Sequence, residues 1–128
     1  MAAGSSSVTL HPRTAALRAV TETEWSNVVK RAALRHGICG FHIRQSEGNL
    51  EGVHSSGNSD HSDAHGFPDW LFFHPDGRLL AIELKNEWGR VLRPQWRYQE
   101  LFARVTRVEP YVLRPSDFDA LDGLFRGA

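Results

Sequence analysis

Apolar and polar positions alternate along this chain with two different periods, and the switches between them divide it into elements. From Thr21 to His36, Trp25, Val28, Val29, Ala32 and Ala33 recur at helical spacing. Thr21 can cap that helix, Glu24 follows at capping-box distance, and Gly37 suits the C′ position that ends it. Phe41 to Arg44 alternates apolar and polar and predicts a short strand. Pro68–His74 and Arg78–Lys85 are apolar-rich strands joined by the turn residues Pro75-Asp76-Gly77, so they predict a hairpin. Pro94 suits the first position of a helix that runs through Val105, with Tyr98, Leu101, Phe102 and Val105 on one face. Pro110–Leu113 predicts a fourth strand. Ser116 can cap a last helix whose apolar face is Phe118, Leu121, Leu124 and Phe125. The order helix, strand, strand, strand, helix, strand, helix predicts an α/β domain with a mixed four-stranded sheet flanked by helices.

Two stretches fall outside that pattern. Residues 1–20 form a Ser-rich lead-in, expected to be flexible, which leaves 21–126 as the folded domain. Residues 46–66 carry almost no apolar side chains, and a polar loop of that length is usually functional or disordered. No apolar run approaches the roughly 20 residues of a membrane span, and the first residues lack the pattern of a secretory signal. The single cysteine, Cys39, cannot form an internal disulfide and reads as a small buried residue. An intracellular setting is expected.

Net charge is zero, which counts mildly against a nucleic-acid protein until its distribution is considered. Residues 1–45 hold six Lys/Arg against two Asp/Glu, and 78–114 hold eight against four. Between these basic blocks, residues 46–77 hold six Asp/Glu and no Lys/Arg. Carboxylates hold metal ions and cations hold phosphates, so a protein that acts on a phosphate backbone needs both.

Candidate chemistry sits in the predicted hairpin. On a strand, Glu83 and Lys85 share a face with Ala81, while Ile82 and Leu84 point the other way. An acidic-x-Lys triplet arises by chance on the order of once in such a chain, so an ion pair at a strand edge explains it equally. Asp69, after Pro68, lies on the partner strand. If it faces Glu83, two carboxylates converge, and that pair is costly unless a cation neutralises it. Two oxygen ligands with waters and a phosphate suit magnesium or manganese. The alternative is a turn aspartate after proline. Gln95 lies at the start of the next helix, on or beside its buried face or else exposed. If buried, its amide needs a partner near Glu83 or Lys85.

Gly66-Phe67-Pro68-Asp69, then Glu83-Leu84-Lys85, then Gly89, Pro94 and Gln95, resembles the VRR-NUC branch of the PD-(D/E)XK nucleases. Tyr111 to Asp117 resembles the end of its small phage and bacterial members, and Thr21-Glu22, Gly37 and His42 fall at similar spacings. The resemblance covers about Thr21 to Phe125. It implies a restriction-endonuclease-like core and DNA hydrolysis with Mg2+ or Mn2+. Asp69, Glu83 and the backbone carbonyl of Leu84 would bind the metal. Lys85 would orient the attacking water and stabilise charge on the phosphate. Glu22 would reach the metal through water, with Glu24 as the competing candidate, and Gln95 matches the glutamine of the helix after the core. The name-giving Val-Arg-Arg run is missing; Gly89-Arg90-Val91-Leu92-Arg93 stands in its place. Stand-alone members resemble Holliday-junction resolvases, which implies branched DNA, a homodimer, and the cytoplasm of a bacterial or phage-infected cell.

The remaining chemistry-bearing residues admit two readings each. Trp88, Trp96, Arg90, Arg93 and Arg97 cluster after the catalytic strand and read as a DNA-contacting surface or as a solvated basic face. His42 and Arg44 are further DNA-contact candidates, though His42 equally suits simple packing. His54, His61 and His65, with Asp60 and Asp63, could hold a transition metal, but a solvated loop is the favoured reading. Beside a resolvase-like endonuclease stand a nicking, flap or restriction-type nuclease, a non-catalytic DNA-binding protein, and a structural zinc protein built on the histidine loop.

Overall fold

The structure is a computed structural model that describes residues 12–43, 52–53, 59–60 and 66–126. Its centre is a four-stranded sheet in the order β1 (Cys39–His42), β4 (Trp70–Phe73), β5 (Leu79–Leu84), β6 (Val108–Leu113). The first three strands pair antiparallel, and β6 runs parallel to β5, so the sheet is mixed as its sequence predicts. Helix α1 (Pro12–Ala19) and helix α2 (Glu22–Arg35) precede the sheet, and α3 (Arg93–Ala103) crosses from β5 to β6. A 3-10 turn over Pro115–Ala120 leads into a short α4 (Leu121–Phe125). Gly52–Val53 (β2) and Ser59–Asp60 (β3) form a two-residue antiparallel ladder inside the polar stretch.

Alternation along β4 and β5 sorts the sheet into two faces. Trp70 and Phe72 pair with Ile82 and Leu80, and these four pack with Leu84 against Trp25, Val29, Ala32 and Ala33 of α2. Leu121 and Phe125 of α4 close the same core. Trp70 stacks on Phe72 at 5.0 Å, and Phe72 meets Phe125 edge-on at 5.1 Å. Burial of aromatic rings on this scale is the main favourable contribution to folding. Both indoles are satisfied: Trp25 Nε1 donates to Leu113 O at 3.0 Å and Trp70 Nε1 to Ser26 Oγ at 3.0 Å. The opposite face carries Asp69, Leu71, Ala81 and Glu83, and Gln95 of α3 reaches that face at Glu83.

Several local expectations hold. Thr21 and Glu24 form the reciprocal capping box of α2, and Gly37 takes φ +67 just past its end. Gly77, at φ +95, closes the hairpin turn. Trp25, on the apolar face expected for α2, is a core residue.

Others are corrected. The lead-in contains helix α1, none of whose residues is buried. Strand β1 starts at Cys39, two residues before the alternation begins, and leaves Cys39 exposed because β1 is an edge strand. Leu92 caps α3, Arg93 is its first residue, and Pro94 follows second. Leucine has no acceptor, so only the return half of that cap exists: Gln95 Oε1 accepts from Leu92 N at 2.8 Å. The helix stops at Ala103, leaving Val105 beyond it and exposed; Leu101 is exposed too, and Gln99 is the buried member. Ser116 caps nothing. The turn begins after Arg114, whose N–H donates to Asp117 Oδ2 at 2.7 Å, and Phe118 is exposed.

Candidate active site

Pro68 and Asp69 stand where the loop enters β4. Asp69 lies one residue before Trp70 and Glu83 one after Ile82, and Trp70 and Ile82 are register partners, so the two carboxylates occupy opposing positions on one face. Asp69 is fixed at both ends. Its carbonyl accepts from Ile43 N at 2.8 Å, and its Oδ2 accepts from Leu84 N at 2.7 Å. The approach of the Asp69 loop to α3 is close: a Cβ on Gly66 would meet the Pro94 backbone at 2.5 Å, so only glycine fits there.

Glu83 is buried, at 3% exposure, and Lys85 nearly so, at 8%. Glu83 Oε2 accepts from Gln95 Nε2 at 3.0 Å and lies 3.9 Å from Lys85 Nζ. Glu83 Oε1 is buried with no hydrogen-bond partner. Burial raises the pKa of both carboxyls, and each is shifted further by a neighbouring carboxylate that Lys85 only partly offsets. Asp69 is pushed up to about 6, with Glu22 adding to its burial and the Leu84 N–H opposing it. Glu83 is pushed up to about 9, with Asp69 the next contribution after burial. Such a pair takes up either a proton or a cation.

An ordered loop follows the lysine. Lys85 N donates to Leu113 O at 3.1 Å, the carbonyl that also accepts from Trp25. Arg114 Nη1 then reaches the carbonyls of Asn86 (2.9 Å), Glu87 (3.4 Å) and Gly89 (2.7 Å). Glu87 Oε1 in turn accepts from Ser116 N at 2.9 Å. Sequence reasoning missed Arg114. Its signal was a basic residue directly after a buried strand, in reach of a loop that has no ladder of its own to satisfy its carbonyls.

The two glutamates of α2 separate cleanly. Glu24 Oε1 accepts from Thr21 N at 2.9 Å and is committed to the cap. Glu22 lines an open cleft of about 720 Å3 together with Asp69, Leu84, Trp70, Ile43 and His42, and with Thr23, Ser26, Asn27 and Lys30 of α2. His42 stacks flat on Trp70, 4.4 Å between centroids and 9° between planes, so it packs and borders the cleft at once.

The arginines lie elsewhere. Arg93 and Arg97, with Trp96 and Glu100, line a second groove of about 600 Å3 that shares no residue with the first. Arg90 is exposed, and the exposed Trp88 carries the Arg18 guanidinium 5.3 Å above its ring. Arg44, His54, His61, His65 and Asp63 lie outside the described residues, as does the side chain of Asp60.

Among the described residues no group of three or more His, Cys, Asp or Glu side chains could by itself hold a metal ion. The donor set is therefore Asp69 and Glu83, with an unpartnered carboxylate oxygen and a backbone beside it. That set is too small for a tetrahedral zinc cage. It fits magnesium or manganese, which are held by one or two carboxylates and complete their shell with water and phosphate oxygens.

No family model matches the chain, and no curated protein matches it. A solved structure described as a VRR_NUC domain does match, with a TM-score of 0.55 over 82% of this chain and 97% of that one, at 21% identity. The chain shares the fold of that domain.

Proposed function

We propose that this chain is a VRR-NUC-type PD-(D/E)XK nuclease that hydrolyses DNA phosphodiester bonds with Mg2+ or Mn2+. One observation supports the reading above the others: Asp69 and Glu83 oppose each other across the hairpin, and Glu83 keeps a buried, unpartnered Oε1 while its Oε2 faces Gln95 and Lys85. Two facing buried carboxylates are costly unless a proton or a cation joins them, and a cation at Oε1 would satisfy that oxygen.

Asp69, Glu83 and the Leu84 carbonyl would hold the metal, which when bound lowers the pKa of water and polarises a phosphate oxygen. The chain's own residues do the rest. Leu84 N–H keeps the Asp69 carboxylate aimed along the strand ends. Gln95 and Lys85 hold Glu83 Oε2 from two sides. The Lys85 ammonium stabilises negative charge on the phosphate and orients the attacking water. Glu22, on the cleft wall, reaches the site through water.

The finer reading is a homodimeric endonuclease acting on branched DNA inside the cell. Two symmetric cuts need two sites, and each chain supplies one. A nicking, flap or restriction-type nuclease would use the same core. No helix among the described residues is long and apolar enough to cross a membrane.

The decisive experiment is cleavage of junction, flap, nicked and linear DNA in magnesium by wild type, Asp69→Ala and Glu83→Ala. Loss of cutting in both folded variants is the expected result. Cutting at wild-type rates by either would refute the assignment, and a monomeric mass at working concentration would refute the dimer.

A further inference from the structure

Helix α2 buries Trp25, Val29, Ala32 and Ala33 and turns a second, polar row to the cleft. Thr23, Asn27 and Lys30 stand at i, i+4 and i+7, the spacing that aligns side chains along one helix face. All three are exposed and all three line the cleft that contains Asp69 and Leu84. Seven residues at about 1.5 Å each make the row about 10 Å long. Each strand of a duplex advances about 3.4 Å per nucleotide along the duplex axis, so a row parallel to that axis spans about three nucleotides.

The row is also ordered in charge. Its near end adjoins Glu22, whose charge is felt by both Asp69 and Glu83. Its middle offers a hydroxyl and an amide. Its far end is Lys30, the one Lys or Arg among the described residues lining the cleft. His42, laid flat on Trp70, lines the same cleft. Neutral hydrogen-bond donors followed by an ammonium are what a phosphodiester backbone leaving a metal site would meet.

We propose that Thr23, Asn27 and Lys30 form the track that holds the phosphates next to the scissile one. The DNA strand then runs along α2 and not along the arginine groove of α3. That groove holds more positive charge, but Glu100 sits within it and neither Asp69 nor Leu84 lines it. The proposal rests on the nuclease reading above and adds to it the residues that position substrate.

Binding is measured by fluorescence anisotropy with a short labelled DNA duplex and its single strand, over a salt series, with calcium in place of magnesium. Lys30→Gln is expected to weaken binding about three- to tenfold at low salt and to reduce the slope of log K against log salt by about 1. Asn27→Ala is expected to weaken binding with the slope unchanged, because it removes no charge. Manganese affinity of Lys30→Gln stays at the wild-type value. Arg31→Gln, exposed on the same helix but outside the cleft, binds as wild type does. If Lys30→Gln keeps wild-type affinity and slope while Arg93→Gln or Arg97→Gln loses both, the track is overturned. In that case the wild type still cuts DNA, and the nuclease reading stands. If the wild type neither binds DNA in calcium nor cuts it in magnesium, both readings fall.

Discussion

Gln95 connects a helix cap to a buried carboxylate: its Oε1 accepts from Leu92 N at 2.8 Å while its Nε2 donates to Glu83 Oε2 at 3.0 Å. One amide thus sets the start of α3 and the orientation of Glu83 together. Gln95→Ala is expected to lower cleavage about 10- to 100-fold, the usual loss when a group orienting a metal ligand is removed. Circular dichroism would show α3 retained. A variant with full activity would mean that Glu83 needs no such guide.

The carboxylate pair makes metal-free stability depend on pH. Both folded-state pKa values lie above the ordinary range, so the folded protein binds more protons than the unfolded chain between about pH 4 and 9. The contribution is full below the unfolded values and is lost as pH rises through about 6 and then about 9. The melting temperature in EDTA is therefore expected to fall across this range, and Glu83→Gln to flatten the decline. Added magnesium should raise the melting temperature most at the alkaline end, where it no longer competes with protons. An equal gain at pH 5 would contradict the shared site.

Arg114 organises the loop between Lys85 and α3 through three carbonyl contacts. Arg114→Ala is expected to destabilise the protein by about 1–3 kcal/mol, the range for hydrogen bonds to a charged group. It should also slow cleavage, since the loop carries the chain from Lys85 to Gln95. Arg114→Lys should recover only part of either loss, because an ammonium cannot present the same planar fork. Urea titration and a cleavage assay on the two variants give both readouts.

A pair of glycine substitutions separates close approach from conformational freedom. Gly66→Ala would drive a methyl into the Pro94 backbone and is expected to cost about 1–3 kcal/mol. Gly123, in α4, has nothing within 4 Å of a built Cβ, and Gly123→Ala is expected to add about 0.5–1 kcal/mol. Denaturant midpoints of opposite sign would confirm the contrast.

The elements were legible where local chemistry decides them. Thr21 and Glu24 announce a helix start, Gly77 a turn, and the apolar run Leu79–Leu84 a central strand, and each is found in place. The hairpin that brings Asp69 and Glu83 near each other was legible too, whereas their opposition on one face stayed conditional until the register was known. Burial set by distant neighbours was not legible. Cys39 and Phe118 look like core residues in sequence but are exposed among the described residues. Gln99 looks polar and exposed but is covered, and its Nε2 is left without a partner. For the glutamates, spacing favoured Glu22 with Glu24 as its competitor, and the structure commits Glu24 to the cap and leaves Glu22 on the cleft wall. The basic residues after Lys85 suggested one DNA surface by proximity in the chain, whereas the cleft beside Asp69 is walled by α2, which lies far upstream of it.

Leu113 O receives both Trp25 Nε1 and Lys85 N, so the lysine's backbone and the first core helix converge on one atom of the last strand. Asp69 and Glu83 both precede β6 in the chain, yet the carbonyl that receives Lys85 N lies on that later strand. A folding chain whose β6 has not yet joined the sheet therefore has the acidic hairpin without the contact that holds the lysine's backbone. The seating of Lys85 is a product of the long-range parallel pairing of β5 with β6, not of the hairpin that brings the two carboxylates together.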